Sequence, residues 1–154
     1  MELRKKALGQ VTSFLEEESF FSRLDPSTLA TPTIILLNSR YKLINWSEAK
    51  AIMDLLFKAT KSEAECLYFG WHKDGNTIVS RAAFRSSAAV LEHFERSSAL
   101  AKQLASGPAK RVSVEIHGPK EELCTLRESE ALKSLDPEYF EEHVFVNSKG
   151  NLPA

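Results

Sequence analysis

Apolar positions recur with two different periods along the chain, and the alternation of these periods predicts its architecture. In residues 2–23, Leu3, Ala7, Val11, Phe14, Leu15 and Phe21 gather near one side of a helical wheel with Arg4, Lys5, Glu16 and Glu17 mostly off it, which predicts an amphipathic helix. The proline- and threonine-containing segment 25–32 reads as a connector. The run Thr33-Ile34-Ile35-Leu36-Leu37, continuing to Leu43, predicts a first strand buried on both faces along its early half. Ser47 is the expected N-cap of a helix in which Ala49, Ile52, Met53, Leu56 and Ala59 keep helical spacing through Lys61. A period of two returns from Cys66 to Arg81, where two alternating stretches flank Lys73-Asp74-Gly75-Asn76, a strong hairpin signal with Asp74-Gly75 expected at its centre.

Ser86 or Ser87 then caps a second helix with the stripe Val90, Phe94, Ala101 and Leu104, which stops at Gly107-Pro108. Residues 111–117 alternate again, with Val112, Val114 and Ile116 on one side and Ser113, Glu115 and His117 on the other. The order is β-α-β-β-α-β, a ferredoxin-like α+β fold: one antiparallel sheet with both helices on one face. Pro119 opens a further helix carrying Glu121 and Glu122 in its first turn and continuing through Leu123, Leu126 and Leu132. Asp136-Pro137 ends it, and residues 138–146 predict a short edge strand before the tail. The expected organisation is an N-terminal helical extension (1–31), the α+β domain (32–118) and a C-terminal helix, edge strand and tail (119–154).

The faces of the hairpin follow from its register. With Asp74-Gly75 central, His72 is expected opposite Thr77, Gly70 opposite Val79 and Tyr68 opposite Arg81. Leu67, Phe69 and Trp71 with Ile78, Ser80 and Ala82 form the more apolar face and belong under the helices. The open face then holds Tyr68, His72, Thr77, Arg81, Ser113, Glu115 and His117, together with Ile35 and Leu37 or their neighbours. Such a mixed face needs a cover, and a second subunit's sheet is the natural one, enclosing a cavity between the two.

Composition narrows the chemistry. With 154 residues, 43% hydrophobic and 27% charged, the chain has the make-up of an ordinary globular domain. Twenty basic and 21 acidic residues leave a net charge of -1, too weak a field to gather a polyanion, so nucleic acid is not an expected partner. No stretch reaches the roughly 18 apolar residues of a membrane span, and the acidic triplet 16–18 interrupts any leader-like segment, so no membrane partner and a cytoplasmic location are expected. Cys66 and Cys124 lack the spacing of a metal site or redox pair and read as buried thiols. Glycine-rich phosphate loops, nucleophile elbows and the H-E-x-x-H zinc motif do not occur, and the four histidines are too scattered to name a metal site.

The stretch from Thr33 to Gly118, and above all Ile78 to Leu104 with Phe84, Ser86-Ser87, Val90-Leu91, His93-Phe94 and Ala99-Leu100, resembles the antibiotic biosynthesis monooxygenase-like members of the dimeric α+β barrel superfamily. Members commonly have an aromatic-ended third strand, a small residue capping the next helix and a histidine partway along it, here Phe84, Ser86 and His93. Their frequent second histidine is absent, and this chain has Ser97-Ser98 in that region. The resemblance implies a homodimer whose sheets close a barrel and, in the enzymes of the group, oxidation of phenols or quinols without a cofactor.

Candidate residues are weighed on that basis. His72 and His117, on the open face and of a type that titrates near neutral pH, are the catalytic candidates, with Glu115 on the same face as His117. The ligand-binding candidates are Tyr68 and Arg81, as a cation–π or hydrogen-bonding pair, with Asn38, Trp46 and His93. Each has a bland counterpart: interface packing for Tyr68 and Arg81, a strand-end position for His72 and His117, local backbone bonding for Asn38, a hydrophobic staple for Trp46 and a packing contact for His93. The alternative functions are a non-catalytic oligomeric interaction module, in which helix 2–23 mediates assembly, and a haem-binding relative using one of the histidines as axial ligand.

Overall fold

The computed structural model describes residues 33–141, which lie within one compact unit. The predicted helix 2–23 and the residues after 141 lie outside the described part. Strand β1 (Ile35–Leu43) is followed by helix α1 (Trp46–Thr60), strands β2 (Cys66–Asp74) and β3 (Thr77–Phe84), helix α2 (Ser87–Ser106) and strand β4 (Ala109–His117). Helices α3 (Lys120–Arg127) and α4 (Glu130–Lys133) and a short strand β5 (Glu138–Phe140) complete it. The strand order is β2-β3-β1-β4-β5, antiparallel throughout except for the parallel β4–β5 pair. This is the α+β ferredoxin-like arrangement expected of the βαββαβ order, with one strand added at the edge.

Local chemistry sets the element ends. Asn45, not Ser47, caps α1: its backbone is extended and its side chain accepts the Glu48 N–H at 3.2 Å. Ser86 caps α2 by accepting from the Ala89 N–H at 3.1 Å. At the N-terminus of α2 the Glu122 carboxylate of α3 also takes the Ser87 N–H at 2.7 Å, which ties the C-terminal segment to the core helix. The predicted single helix through Leu132 is two, because the chain turns at Glu128-Ser129. Leu123, Leu126 and Leu132 nonetheless are fully buried in the core.

Three details of register differ from expectation. Asp74 pairs with Thr77, so the turn's central residues are Gly75-Asn76, and only Gly75, at φ 54°, is left-handed. His72 therefore faces Val79 rather than Thr77, Gly70 faces Arg81 rather than Val79, and Tyr68 faces Ala83 rather than Arg81. A shift of two along β3 leaves the face of every side chain unchanged. A bulge at the start of β2 pairs Cys66 with Phe84, and it is Cys66, where Leu67 was expected, that packs on the helix-side cluster. A second irregularity, between Arg40 and Tyr41, sets Tyr41 against Arg111; Val112, expected in the core, is 60% exposed.

The core lies between sheet and helices in two clusters. One contains Ile35, Leu37, Phe84, Val90, Val114 and Ile116 with the C-terminal leucines, the other Tyr41, Ala49, Met53, Leu56, Ile78 and Leu104. Ile35 and Leu37 thus point toward the helices, and their neighbour Leu36 is on the open face, 43% exposed.

Candidate functional site

Where the two clusters meet, small residues open the interior. Ser39 of β1 pairs with Ser80 of β3, and both are buried on the helix side. Above them α2 presents His93, Ser97 and Ala101 at steps of four, one inner line of the helix. With Phe69 and Trp71 from β2, Leu56 from α1, Arg111 and Val114 from β4, and Leu135, these residues line a partly open cavity of about 40 Å³.

His93 is held firmly. It is 5% exposed, and its ring lies 5.8, 5.0 and 5.9 Å, centroid to centroid, from Phe69, Phe84 and Phe94. Its Nδ1 lies 2.9 and 3.2 Å from the two carboxylate oxygens of Glu63, itself only 7% exposed. An ionised carboxylate only accepts, so Nδ1 carries the proton, and in the neutral tautomer bonded this way the lone pair is on Nε2. The pair is a carboxylate–imidazole dyad next to a cavity, the arrangement by which a histidine is oriented as a proton acceptor.

Two further groups in the cavity wall are unusual. Among the described residues, Trp71 Nε1 and Arg111 Nε are buried donors without a hydrogen-bond partner. The Arg111 guanidinium lies 5.6 Å from the Tyr41 ring centroid, and its side chain forms no ion pair among the described residues. Leaving a buried donor unpaired costs about 1–3 kcal/mol, so two in one cavity are a feature that needs a reason.

The opposite, open face carries a second hollow of about 60 Å³, lined by Asn38, Arg40, Val79, Arg81, Ser113 and Glu115. The sequence-derived candidates divide between the two faces. Asn38 and Arg81 line the open hollow. Tyr68 and His72 are joined by a 3.2 Å contact between the phenol oxygen and Nε2, with the Tyr68 ring over Gly70, whose Cβ, if present, would sit 2.5 Å from the tyrosine oxygen. His117 stands toward the β5 edge, stacked on Phe140 at 4.5 Å, its Nε2 3.5 Å from Glu115. Trp46 begins α1, 42% exposed, with the Lys73 amine 5.3 Å from its ring, and lines neither hollow. Only His93 of the candidates reaches the interior cavity. Glu63, Trp71 and Arg111 as site residues were missed. Arg111 was hidden by the β1–β4 irregularity, Glu63 by its place among polar loop residues; the one available signal was serine at helix-facing positions 80 and 97.

Cys66 Sγ donates to the Tyr68 carbonyl at 3.3 Å, and burial, reinforced by the charge of Glu63, pushes its thiol up to about 11. Among the described residues no group of three or more His, Cys, Asp or Glu side chains is placed to hold a metal ion, and no helix is long and apolar enough to cross a membrane.

A ferredoxin-like sheet with helices on one face defines an α+β protein that in fold resembles the antibiotic biosynthesis monooxygenase-like proteins. Among solved structures, MupZ from Pseudomonas fluorescens superposes with a TM-score of 0.68 and 25% identity over 77% of this chain and 98% of that one. A candidate antibiotic biosynthesis monooxygenase from Caulobacter crescentus gives 0.50 with 15% identity, covering 58% and 92%. Rv0793 from Mycobacterium tuberculosis gives 0.50 with 19% identity, covering 54% and 91%. The last two likenesses concern the fold alone. No family model and no curated protein matches the sequence.

Proposed function

We propose that this protein is a small-molecule enzyme acting on a phenol- or quinol-type compound, with His93 as general base, and that it oxidises its substrate with dioxygen without a cofactor. The observation that carries this reading is the Glu63–His93 dyad at a cavity containing two unpaired donors. Its buried groups are positioned by packing, whereas Arg40 and Arg81 at the open hollow are exposed on the uncovered face of the single chain's sheet. Proton removal by Nε2 yields an electron-rich anion. At the ring carbon para to that oxygen, the carbon's hydrogen and the proton already removed leave with one oxygen atom of O₂ as water, and the other oxygen remains as the new quinone carbonyl.

The open face serves assembly in this reading, as a homodimer interface. Leu36, Val79 and Tyr68 supply its apolar part, Leu36 and Tyr68 being 43% and 49% exposed. The row Arg81–Asn38–Glu115 crosses the sheet with its opposite charges on either side of Asn38. A two-fold axis along β1, between facing sheets, lays Arg81 over the partner's Glu115 and the reverse, so the row is self-complementary. His72 then supports Tyr68 within that interface. The test of the enzymatic reading is oxygen uptake by purified protein with a panel of phenols and quinols. Uptake by the wild type that fails in His93→Gln supports it; no uptake and no binding across the panel removes it.

A further inference from the structure

The two unpaired donors specify what the cavity binds. Trp71 Nε1–H and Arg111 Nε–H come from the two strands that flank the central pair β1 and β3, and both belong to the lining of the one interior cavity that His93 also lines. Indole offers a donor and nothing else; guanidinium offers donors and a permanent positive charge. No carboxylate among the described residues neutralises Arg111, and the acidic group nearest in role, Glu63, is already engaged by His93. Ser39, Ser80 and Ser97 add hydroxyls that donate or accept as required. Donors thus outnumber committed acceptors, and the complement of such a site is an oxygen anion.

We propose that Trp71 and Arg111 together bind the anionic oxygen of the ligand, a phenolate or enolate oxygen, on the far side of the reacting group from the Glu63–His93 dyad. The size agrees. About 40 Å³ admits two or three groups the size of water, enough for the oxygen-bearing end of a ligand whose ring extends through the open side. The chemistry agrees as well: His93 Nε2 takes the proton, the oxygen left behind carries the charge, and Trp71 and Arg111 stabilise it in a site with little water. This inference rests on the interior cavity being the site, but not on the oxidation that follows.

The test uses 4-nitrophenol, whose hydroxyl ionises near neutral pH and whose phenolate is coloured, titrated against the full-length protein. Bound probe is expected to ionise at lower pH than free probe. Trp71→Phe and Arg111→Met should each weaken binding of the coloured form by about tenfold or more, the loss of one charge-assisted hydrogen bond. Arg111→Lys, which keeps the charge but not the Nε–H, should fall between. The titratable groups facing the probe, besides Arg111, are Tyr41, His93 and, behind it, Glu63, so Tyr41→Phe and His93→Gln are included; both should leave the Trp71 and Arg111 effects in place. Should Arg111→Met fail to fold, Trp71→Phe and Arg111→Lys still decide. Absence of binding, or binding that neither favours the phenolate nor responds to positions 71 and 111, overturns the proposal. Probe binding with the expected shift, but no oxygen uptake with any substrate, overturns the oxidation and leaves this inference standing.

Discussion

Replacing His93 by alanine should destabilise the protein more than replacing Glu63, and the asymmetry follows from which partner is left behind. Both residues are buried, at 5% and 7% relative exposure for His93 and Glu63, with 2.9 Å between Nδ1 and the nearer oxygen. In His93→Ala the carboxylate stays in the interior without its hydrogen-bond donor, at a cost of more than about 3 kcal/mol for a charged group. The ring also leaves its contacts with Phe69, Phe84 and Phe94, which widens the cavity. Glu63→Ala leaves the imidazole with one unsatisfied N–H, costing about 1–3 kcal/mol. Glu63→Gln keeps an oxygen acceptor for Nδ1–H and exchanges a charged hydrogen bond for a neutral one, a loss of about 1 kcal/mol. At roughly 2–4 °C per kcal/mol for a chain of 154 residues, His93→Ala should lower Tm by more than about 6 °C and Glu63→Gln by about 2–4 °C. Urea unfolding at pH 7, followed by tryptophan fluorescence, measures all three, with m expected to be unchanged. A loss below about 1 kcal/mol for His93→Ala, or a larger loss for Glu63→Ala than for His93→Ala, would refute the dyad as described.

Other outcomes follow from the same structure. Arg81→Glu and Glu115→Arg should each convert the proposed homodimer to monomer in light scattering, since like charges across an interface cost several kcal/mol, and the double reversal should restore it; a wild type that is monomeric, or single reversals that leave a dimer intact, contradict the two-fold row. Cys66, its thiol pushed up to about 11 by burial and Glu63, should react with iodoacetamide near pH 8 about 100-fold more slowly than exposed Cys124, as peptide mapping with time will show. Because the folded state keeps the Cys66 proton to higher pH than the unfolded state does, this group's contribution is intact below about pH 9 and declines toward pH 11. Glu122→Ala, which removes the acceptor of the Ser87 N–H, should cost about 1–3 kcal/mol in the same urea assay, and an unchanged midpoint would show that the cap does not hold the C-terminal segment.

The period of the apolar positions was enough to read the βαββαβ order and the strand faces, because a strand with the wrong parity would expose its whole buried set. Even the two-residue error at the hairpin spared the faces, since Tyr68, His72 and Arg81 stay on the open side. Irregular backbone was not legible. The bulge that pairs Cys66 with Phe84, and the irregularity that gives Arg111 to the interior and Val112 to the surface, depend on how strands fit one another and leave no mark in either strand alone. The site suffered most from this. Its proposed base, His93, was visible as a residue of the second helix, but Glu63 lies 30 positions away in a polar turn, and only the tertiary fold brings the carboxylate to the ring.

The central claim, that ligand chemistry takes place beneath the helices and not on the open sheet, is tested most directly by a crystal structure with 4-nitrophenol bound. The account predicts the probe's oxygen within hydrogen-bond distance of Trp71 Nε1 and Arg111 Nε, with His93 Nε2 facing it across the cavity. Probe seated instead among Asn38, Arg81 and Tyr68, with the interior cavity unchanged, would contradict it.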